Sequence, residues 1–230
     1  MNAKRAAIFD IDGTLVDTNH LHVVTWWEAF RQAGHHVPMT AIHRAVGLSG
    51  SDLLDHLLGD DRDPDQDRQI TAAHHTLYAT CFERLSALDA AGELLRTLAG
   101  RGWEIVLATS ASGAELSALR SAIDADEVIL GVTSADDVAE GKPAPDPIRQ
   151  ARDIAGVPSE RALFVGDSVW DMQAAVRDGV SPVAVLSGGI PRADLEEAGA
   201  HAVYQDTADL LAHLDRSPFA DPRRRLTADG

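Results

Sequence analysis

The order of short apolar segments along this 230-residue chain constrains its fold more than any other feature of the sequence. Helix-forming stretches lie between most of these segments. Such alternation is typical of β-α-β units, which build a parallel sheet with helices on its faces. We therefore predict an α/β core domain with a doubly wound parallel sheet. The predicted strands are Ala6–Phe9, Glu104–Ala108, Glu127–Val132, Ala162–Val165, Val183–Leu186 and Ala202–Tyr204.

The alternation is interrupted once, between residues 18 and 88. This interval has helical periodicity, seen in the spacing of Val23, Trp26 and Phe30, and it contains no convincing strand. We therefore predict a smaller, all-helical cap domain that is inserted after the first strand. The predicted boundaries are 1–17 and 89–215 for the core, 18–88 for the cap, and 216–230 for a solvated tail that carries the Arg223–Arg225 run.

Composition excludes several classes of partner. The chain has 36 acidic and 20 basic residues, a formal net charge of −16, which repels nucleic acid and anionic lipid surfaces. Its apolar runs are only strand-sized, so no membrane span is expected. The single cysteine, Cys81, cannot form an internal disulfide and fits a reducing compartment. We predict a cytoplasmic protein without nucleic-acid or membrane partners.

Two carboxylates follow the first predicted strand. Asp10 and Asp12 are two residues apart, and Gly13 permits a sharp turn directly after them. Ligands collect at the carboxyl ends of parallel strands, so both side chains are well placed for chemistry. Two close carboxylates suit a Mg²⁺ ion or a nucleophile paired with a general acid. The same short pattern also occurs in ordinary turns, so the pair alone leaves both interpretations open.

Three further polar motifs follow later strands or their loops. Thr109 and Ser110 come directly after the second predicted strand and precede helix-forming residues, a typical anion site. Lys142, one of only two lysines in the chain, stands beside prolines before another helix. Asp167 and Asp171 follow the fourth predicted strand and are four residues apart. Together these motifs predict a polar site at one edge of the sheet.

The combination of Asp10, Thr109, Lys142 and Asp167, in this order, resembles the haloacid dehalogenase (HAD) superfamily. The four motifs of that superfamily carry a carboxylate, a hydroxyl, a lysine and a carboxylate. The resemblance covers essentially the whole predicted core and implies a Rossmann-like fold for it. A cap between the first and second motifs is similar to the subclass that contains phosphoglycolate phosphatases and β-phosphoglucomutases.

The resemblance also implies a mechanism. Asp10 would attack phosphorus and form an aspartyl-phosphate, while Asp12 would protonate the leaving alcohol and later deprotonate the attacking water. Mg²⁺ would be held by the Asp10 carboxylate, the backbone carbonyl of Asp12 and the Asp167 carboxylate.

The remaining site residues are assigned in the same way. Thr109 would hydrogen-bond a phosphoryl oxygen, with Ser110 beside it. Lys142 would steady both the nucleophile and the phosphoryl charge, and Asp171 would position Lys142 or a metal-bound water. His22 is our candidate for a substrate-binding residue of the cap, although a surface histidine is the competing interpretation.

A few positions distinguish this chain from three branches of the superfamily. Asp12 argues against a haloacid dehalogenase, which lacks this second aspartate. The absence of any lysine from 18–88 excludes a phosphonoacetaldehyde hydrolase, which uses a cap lysine. His22 and Trp26 match the mutases, but Gly50 stands where their phosphate-gripping arginine is expected, and Arg44 is displaced from it.

We therefore predict a Mg²⁺-dependent phosphatase that acts on a small phosphorylated metabolite. A phosphosugar mutase is the alternative, and a non-catalytic binding protein is a further one that the presence of Asp12 disfavours.

The sequence also predicts the environment of several cap side chains. Trp26 and Phe30 are expected in the core of the cap, and Cys81 in buried packing. Adjacent histidines on a helix point about 100° apart and rarely share one ion, so His35–His36 and His74–His75 are interpreted as a solvated helix face.

Overall fold

A six-stranded parallel sheet forms the centre of the protein in this computed structural model, which describes residues 4–59, 62–134 and 137–220. The strand order is β3-β2-β1-β4-β5-β6. Because the order reverses at β1, a crevice forms outside the carboxyl ends of β1, β2 and β4. The predicted doubly wound fold is confirmed. The strands are β1 (Ala6–Phe9), β2 (Glu104–Ala108), β3 (Ile129–Thr133), β4 (Ala162–Gly166), β5 (Ser181–Val185) and β6 (Ala202–Tyr204).

Three strands differ at their ends from the prediction, and the smallest difference is at β4, which ends at Gly166 rather than at Val165. The segment predicted as Glu127–Val132 begins as a 3₁₀ turn, Asp126–Val128, so β3 starts at Ile129. β5 starts at Ser181 rather than Val183, with Pro182 paired opposite Phe164 of β4. Proline lacks a backbone N–H, but one missing donor is tolerated near the start of a strand.

Helices cover both faces of the sheet, and the central strand β1 is therefore apolar and buried along its whole length. Alternate residues of β1 face opposite sides: Ala7 and Phe9 pack in one apolar cluster, Ala6 and Ile8 in the other. The helices of the core are α5 (Ala91–Gly100), α6 (Gly113–Ile123), α7 (Asp146–Ala155), α8 (Val169–Asp178), α9 (Arg192–Glu197) and α10 (Thr207–Ala212).

The cap is a helical unit with its own apolar core. Trp26 and Phe30 are buried in it, as predicted, and so are Ile42, Leu54 and Ile70. The chain segments that leave and re-enter the sheet domain run side by side, because Leu88 N donates to Leu15 O at 2.9 Å and Asp17 N donates to Ser86 O at 3.2 Å. The cap helices are α1 (Asn19–Gln32), α2 (Met39–Ala45), α3 (Gly50–Leu58) and α4 (Pro64–Ala79).

The predicted tail begins too early in the sequence. Ser217 and Phe219 are fully buried, and the Phe219 ring meets the Trp103 ring edge-on with centroids 5.0 Å apart. An aromatic side chain gains enough from burial to hold this segment against the core. The Arg223–Arg225 run lies outside the described residues. None of the helices in the described part of the chain is long and apolar enough to cross a membrane.

Candidate active site

The predicted site residues converge at the crevice outside the central strands. Asp10 follows β1, Thr109 follows β2 and Asp167 follows β4, while Lys142 comes from the loop before α7. Asp10 N donates to Val165 O at 2.9 Å, which ties the end of β1 to the end of β4. Positions far apart in the chain therefore meet because parallel strands end at one edge of the sheet.

Lys142 lies between two carboxylates and is buried. Its Nζ forms an ion pair with Asp10 Oδ1 and another, at 2.8 Å, with Asp171 Oδ1. Burial acts to lower the pKa of Lys142, but the charges of Asp10 and Asp171 outweigh it and raise that pKa. The ammonium group therefore stays charged at neutral pH and stands beside the predicted nucleophile.

Asp171 is held rigidly by the start of α8. Its Oδ2 accepts hydrogen bonds from Ser168 N at 3.1 Å and Ser168 Oγ at 2.7 Å, and its own N–H donates back to Ser168 Oγ at 3.2 Å. This reciprocal capping box satisfies free donors of the first helical turn. One oxygen of Asp171 thus caps the helix, and the other faces Lys142, as predicted for a residue that positions the lysine.

Three buried carboxylates form a cluster with a deficit of positive charge. One oxygen from each of Asp10, Asp167 and Asp171 lies within 4.8 Å of the others. Lys142 pairs with two of them, and Asp167 receives only neutral donors, Thr14 Oγ1 at 3.0 Å and Asn19 Nδ2 at 2.8 Å.

The charge deficit raises the pKa values of two aspartates of the cluster. Burial, together with the charge of Asp171, raises the pKa of Asp167 to about 7. Burial also raises the pKa of Asp10, even though Lys142 acts in the opposite direction. A set of oxygen donors that is short of positive charge fits a Mg²⁺ ion.

The Asp12 side chain lies outside this cluster. Its Oδ1 accepts a hydrogen bond from Thr18 Oγ1 at 2.7 Å and lies 3.1 Å from His22 Nε2. Two of the predicted metal ligands, Asp10 and Asp167, are thus brought together, whereas the side chain of Asp12 is turned to Thr18 and His22.

Asp12 and His22 form a charged pair. Burial acts to raise the pKa of Asp12, but the hydrogen bond and charge of His22 lower it overall. For His22, burial acts to lower the pKa, and the hydrogen bond and charge of Asp12 raise it overall. Each partner thus favours the charged form of the other, and the two side chains form a coupled acid–base pair. His22 contacts the predicted general acid, and its predicted contact with substrate stays a prediction.

Aromatic rings of the cap hold His22 in this place. The Tyr78 ring stacks on His22 with centroids 4.1 Å apart, and His74 lies between Trp26, at 4.0 Å, and Tyr78, at 5.9 Å. His74 Nδ1 is 3.0 Å from Thr25 Oγ1, and burial lowers the pKa of His74 to about 2, so this ring is neutral.

The predicted solvated position of His74 is therefore wrong. It is buried because α4 packs along α1, and Ile70, His74 and Tyr78 recur at the four-residue spacing of one buried helix face. That spacing was the sequence signal that could have placed it. His75, one position on, is exposed, and Cys81 is buried as predicted.

A cavity of about 1120 Å³ opens between the cap and the sheet domain. Thr109 and Ser110 line it, as does Lys142. Thr109 Oγ1 accepts a hydrogen bond from Ala111 N at 3.0 Å, which leaves its own O–H free to donate to an anion. α6 begins only at Gly113, so the predicted hydroxyl pair belongs to the loop before the helix rather than to its first turn.

Two residues of the site were missed at the sequence level. Asn19, the first residue of α1, donates to Asp167 Oδ2 and, at 3.2 Å, to the carbonyl of Gly188. Glu115, on α6, lines the cavity and places Oε1 3.9 Å from His22 Nε2. The sequence carries no signal for either, since both resemble ordinary polar residues in the first turn of a helix.

Arg44 does not reach the cavity. Its guanidinium forms an exposed ion pair with Asp194 at 2.9 Å, and its carbonyl accepts a hydrogen bond from Trp170 Nε1 at 3.0 Å. His43 Nε2 lies 2.8 Å from the carbonyl of Gly188. These contacts join the cap to the sheet domain, and the one made by His43 reaches Gly188 beside the Asp167 carboxylate.

Comparison with known proteins agrees with this geometry. A phosphoglycolate phosphatase from Rhodospirillum rubrum is 31% identical over 219 residues, which cover 90% of this chain and 89% of that protein. The pyrophosphatase PpaX from Bacillus mycoides is 27% identical, with coverage of 91% and 96%. The predicted enzyme class, a HAD-like phosphatase, is confirmed by these relatives.

Solved structures share the fold. A hydrolase from Pseudomonas syringae superimposes with a TM-score of 0.87 at 36% identity and covers 93% of this chain and 99% of its own. A β-phosphoglucomutase from Clostridium difficile superimposes with a TM-score of 0.79 at 17% identity, with coverage of 90% and 93%, which shows a common fold only. The family model described as haloacid dehalogenase-like hydrolase matches residues 4–179. The chain therefore belongs to the haloacid dehalogenase-like hydrolases.

Proposed function

We propose that this hydrolase is a Mg²⁺-dependent phosphatase that cleaves a small phosphorylated metabolite in the cytoplasm through an aspartyl-phosphate intermediate. The observation that carries the proposal is the arrangement of two aspartates two residues apart. Asp10 is paired with the charged Lys142, while Asp12 Oδ1 lies 3.1 Å from His22 Nε2. Phosphoryl transfer needs a nucleophile next to a positive charge, as Asp10 is next to Lys142, and a nearby acid–base group, as Asp12 is.

Two displacements at phosphorus complete the reaction. In the first, a carboxylate oxygen of Asp10 bonds to phosphorus and the ester bond to the alcohol breaks. The leaving oxygen takes the proton that Asp12 and His22 share. In the second, water bonds to phosphorus, gives its proton back through Asp12, and the bond to Asp10 breaks, which releases phosphate.

The residues around Asp10 neutralise and orient the phosphoryl group. Lys142 holds the nucleophile in place and faces its negative charge, while the free O–H of Thr109 is available to a phosphoryl oxygen. The carboxylates of Asp10 and Asp167 and the carbonyl of Asp12 would hold Mg²⁺. When bound, the ion supplies positive charge against the transferring group.

The cavity favours hydrolysis over a mutase reaction. A mutase must hold a second phosphate while the sugar phosphate reorients, and Gly50 stands where an arginine would be expected to do so. Arg44 is turned to Asp194. Among the described residues that line the cavity, the lysine and arginine side chains are Lys142 and Arg177, and Arg177 donates to the carbonyl of Pro143 at 2.7 Å.

Phosphate release from a panel of phosphorylated metabolites, with and without Mg²⁺, tests the proposal. The wild type should release phosphate only with the metal, and Asp10→Asn should lose at least about 10³-fold in kcat because it removes the nucleophile. The matched control Asp153→Asn, an exposed position of α7, should keep full activity.

Full activity of Asp10→Asn, or turnover without metal, would reject the proposal. Interconversion of sugar phosphates that outruns phosphate release would favour the mutase. Binding of Mg²⁺ and phosphate without any turnover would favour the binding protein.

A further inference from the structure

The cavity next to the phosphoryl site is acidic. Three carboxylates line it: Glu115 from the sheet domain, Asp52 from the cap, and Glu140 from the loop before Lys142. Lys142, the buried cation among the lining residues, is already paired with Asp10 and Asp171. Arg177 also lines the cavity, and its guanidinium donates to the carbonyl of Pro143. Three acids thus face one further cation, so the part of a substrate that extends beyond its phosphate enters a region of net negative charge.

Glu115 is the carboxylate that stands nearest to the chemistry. The same nitrogen, His22 Nε2, lies 3.1 Å from Asp12 Oδ1 and 3.9 Å from Glu115 Oε1. Asp12 is the group that would protonate the leaving oxygen, so Glu115 would face the first atoms of a leaving alcohol bound there. It belongs to α6 of the sheet domain, which also contacts the 3₁₀ turn Phe82–Arg84 at the end of the cap segment.

The Glu115 carboxylate has no donor to satisfy it within the described part of the chain. His22 at 3.9 Å is beyond hydrogen-bond distance, and no other residue there contacts its oxygens as a donor. The side chain is 18% exposed, and that exposure opens onto the cavity. A largely buried acid without a donor is costly unless a ligand supplies one.

We propose that Glu115 selects substrates whose leaving alcohol carries a protonated amine close to the ester oxygen, and that it disfavours those with a second anion there. The inference rests on the proposed phosphatase function. An ammonium group donates to Glu115 and offsets the charge of Asp52 and Glu140, whereas a carboxylate or a second phosphate meets three acids. The substrate class would then be an aminoalkyl or amino-sugar phosphate. It would differ from phosphoglycolate and pyrophosphate, for which two relatives are named.

Three phosphate monoesters of equal length test this selectivity. O-phosphoethanolamine, 2-hydroxyethyl phosphate and 2-phosphoglycolate share a two-carbon leaving group that ends in an ammonium, a hydroxyl and a carboxylate. With Mg²⁺ at pH 8, above the pKa of about 7 to which burial raises Glu115, kcat/KM should be about tenfold higher for the ammonium ester than for the hydroxyl ester, because a hydrogen bond to a charged group contributes that much. The carboxylate ester should be the poorest of the three.

The variant Glu115→Gln keeps the shape of the side chain and removes its charge. We expect it to lower the ammonium-to-hydroxyl ratio of kcat/KM about tenfold. Any general damage to the neighbouring His22 would lower both rates together and leave the ratio unchanged. The control Glu197→Gln, exposed at the end of α9 and outside the cavity lining, should keep the wild-type ratio.

Hydrolysis of p-nitrophenyl phosphate separates the two levels of the inference. If the wild type cleaves it with Mg²⁺ but prefers the carboxylate ester, or treats the three esters alike, the selectivity is refuted and the phosphatase stands. A ratio that Glu115→Gln leaves unchanged also refutes the role of Glu115. If p-nitrophenyl phosphate and all three esters resist hydrolysis, the proposed function fails and the selectivity fails with it.

Discussion

The charge deficit around Asp167 makes a measurable link between pH, metal and stability. Burial and the charge of Asp171 raise the pKa of Asp167 from its ordinary 3.8 to about 7, so between these values the folded protein keeps a proton that the unfolded chain has lost. A group whose pKa is raised by folding stabilises the folded protein most at a pH below its pKa in the unfolded chain. This stabilisation is lost as the pH rises to its pKa in the folded protein. The loss amounts to about 1.4 kcal/mol per pH unit and at most about 4 kcal/mol over the whole window.

The substitution Asp167→Asn removes this titration. Without metal, the free energy of unfolding of the variant minus that of the wild type should increase by up to about 1.4 kcal/mol per pH unit between pH 4 and 7 and then level off. The lost acceptor for Asn19 adds a constant cost that does not change the slope. Because the pKa of His74 is lowered to about 2, this residue makes the free energy of unfolding rise with pH below pH 6.5. Both proteins contain His74, so its effect cancels in the difference.

Urea denaturation in a chelating buffer, at half-unit steps of pH, measures this difference. The control Asp153→Asn should run parallel to the wild type. Added Mg²⁺ should stabilise the wild type near neutral pH, by about 2.7 kcal/mol at a hundred times its Kd, and should stabilise Asp167→Asn much less. A difference that is flat across pH 4 to 7, or equal stabilisation of both proteins by Mg²⁺, would refute the reasoning.

Three other substitutions have defined outcomes. Lys142→Met leaves two buried carboxylates without their cation, so the free energy of unfolding at pH 8 without metal should fall by about 3–5 kcal/mol in urea denaturation. A variant as stable as the wild type would contradict the ion-pair argument. In steady-state assays, His22→Gln should lower kcat about 100-fold for alkyl phosphates and much less for p-nitrophenyl phosphate, because the nitrophenolate leaving group needs no proton. An equal loss of kcat for both substrates would argue against proton transfer through Asp12. Phe219→Ala should lose about 3–5 kcal/mol by thermal or chemical unfolding, whereas a change under about 0.5 kcal/mol would return this segment to the tail.

Much of the fold follows from local pattern. Three of the six strands have the predicted bounds, because continuous apolar runs between helical segments have few other uses in a chain of this composition. The four motifs that carry Asp10, Thr109, Lys142 and Asp167 could be placed together from chain order alone, since parallel strands deliver their ends to one edge. The prediction of a solvated tail from residue 216 was wrong at its start, because burial of the Phe219 ring holds this polar segment against the core.

The environment of each cap side chain was decided by tertiary contacts. His22 and His74 look alike in the sequence, yet Asp12 raises the pKa of His22, whereas burial among the cap rings lowers the pKa of His74. The carboxylate of Glu115 belongs to the site only because the cap places His22 between it and Asp12.

The sequence by itself therefore determined the type of fold, the order of the motifs and the class of chemistry, because these depend on periodicity and on which residues end the strands. Which groups share a proton, which acids lack a counter-charge and which face the cavity were decided only by tertiary structure. Charge and burial act through distances between residues remote in the chain, such as Asp12 and Glu115, and no local pattern encodes those distances.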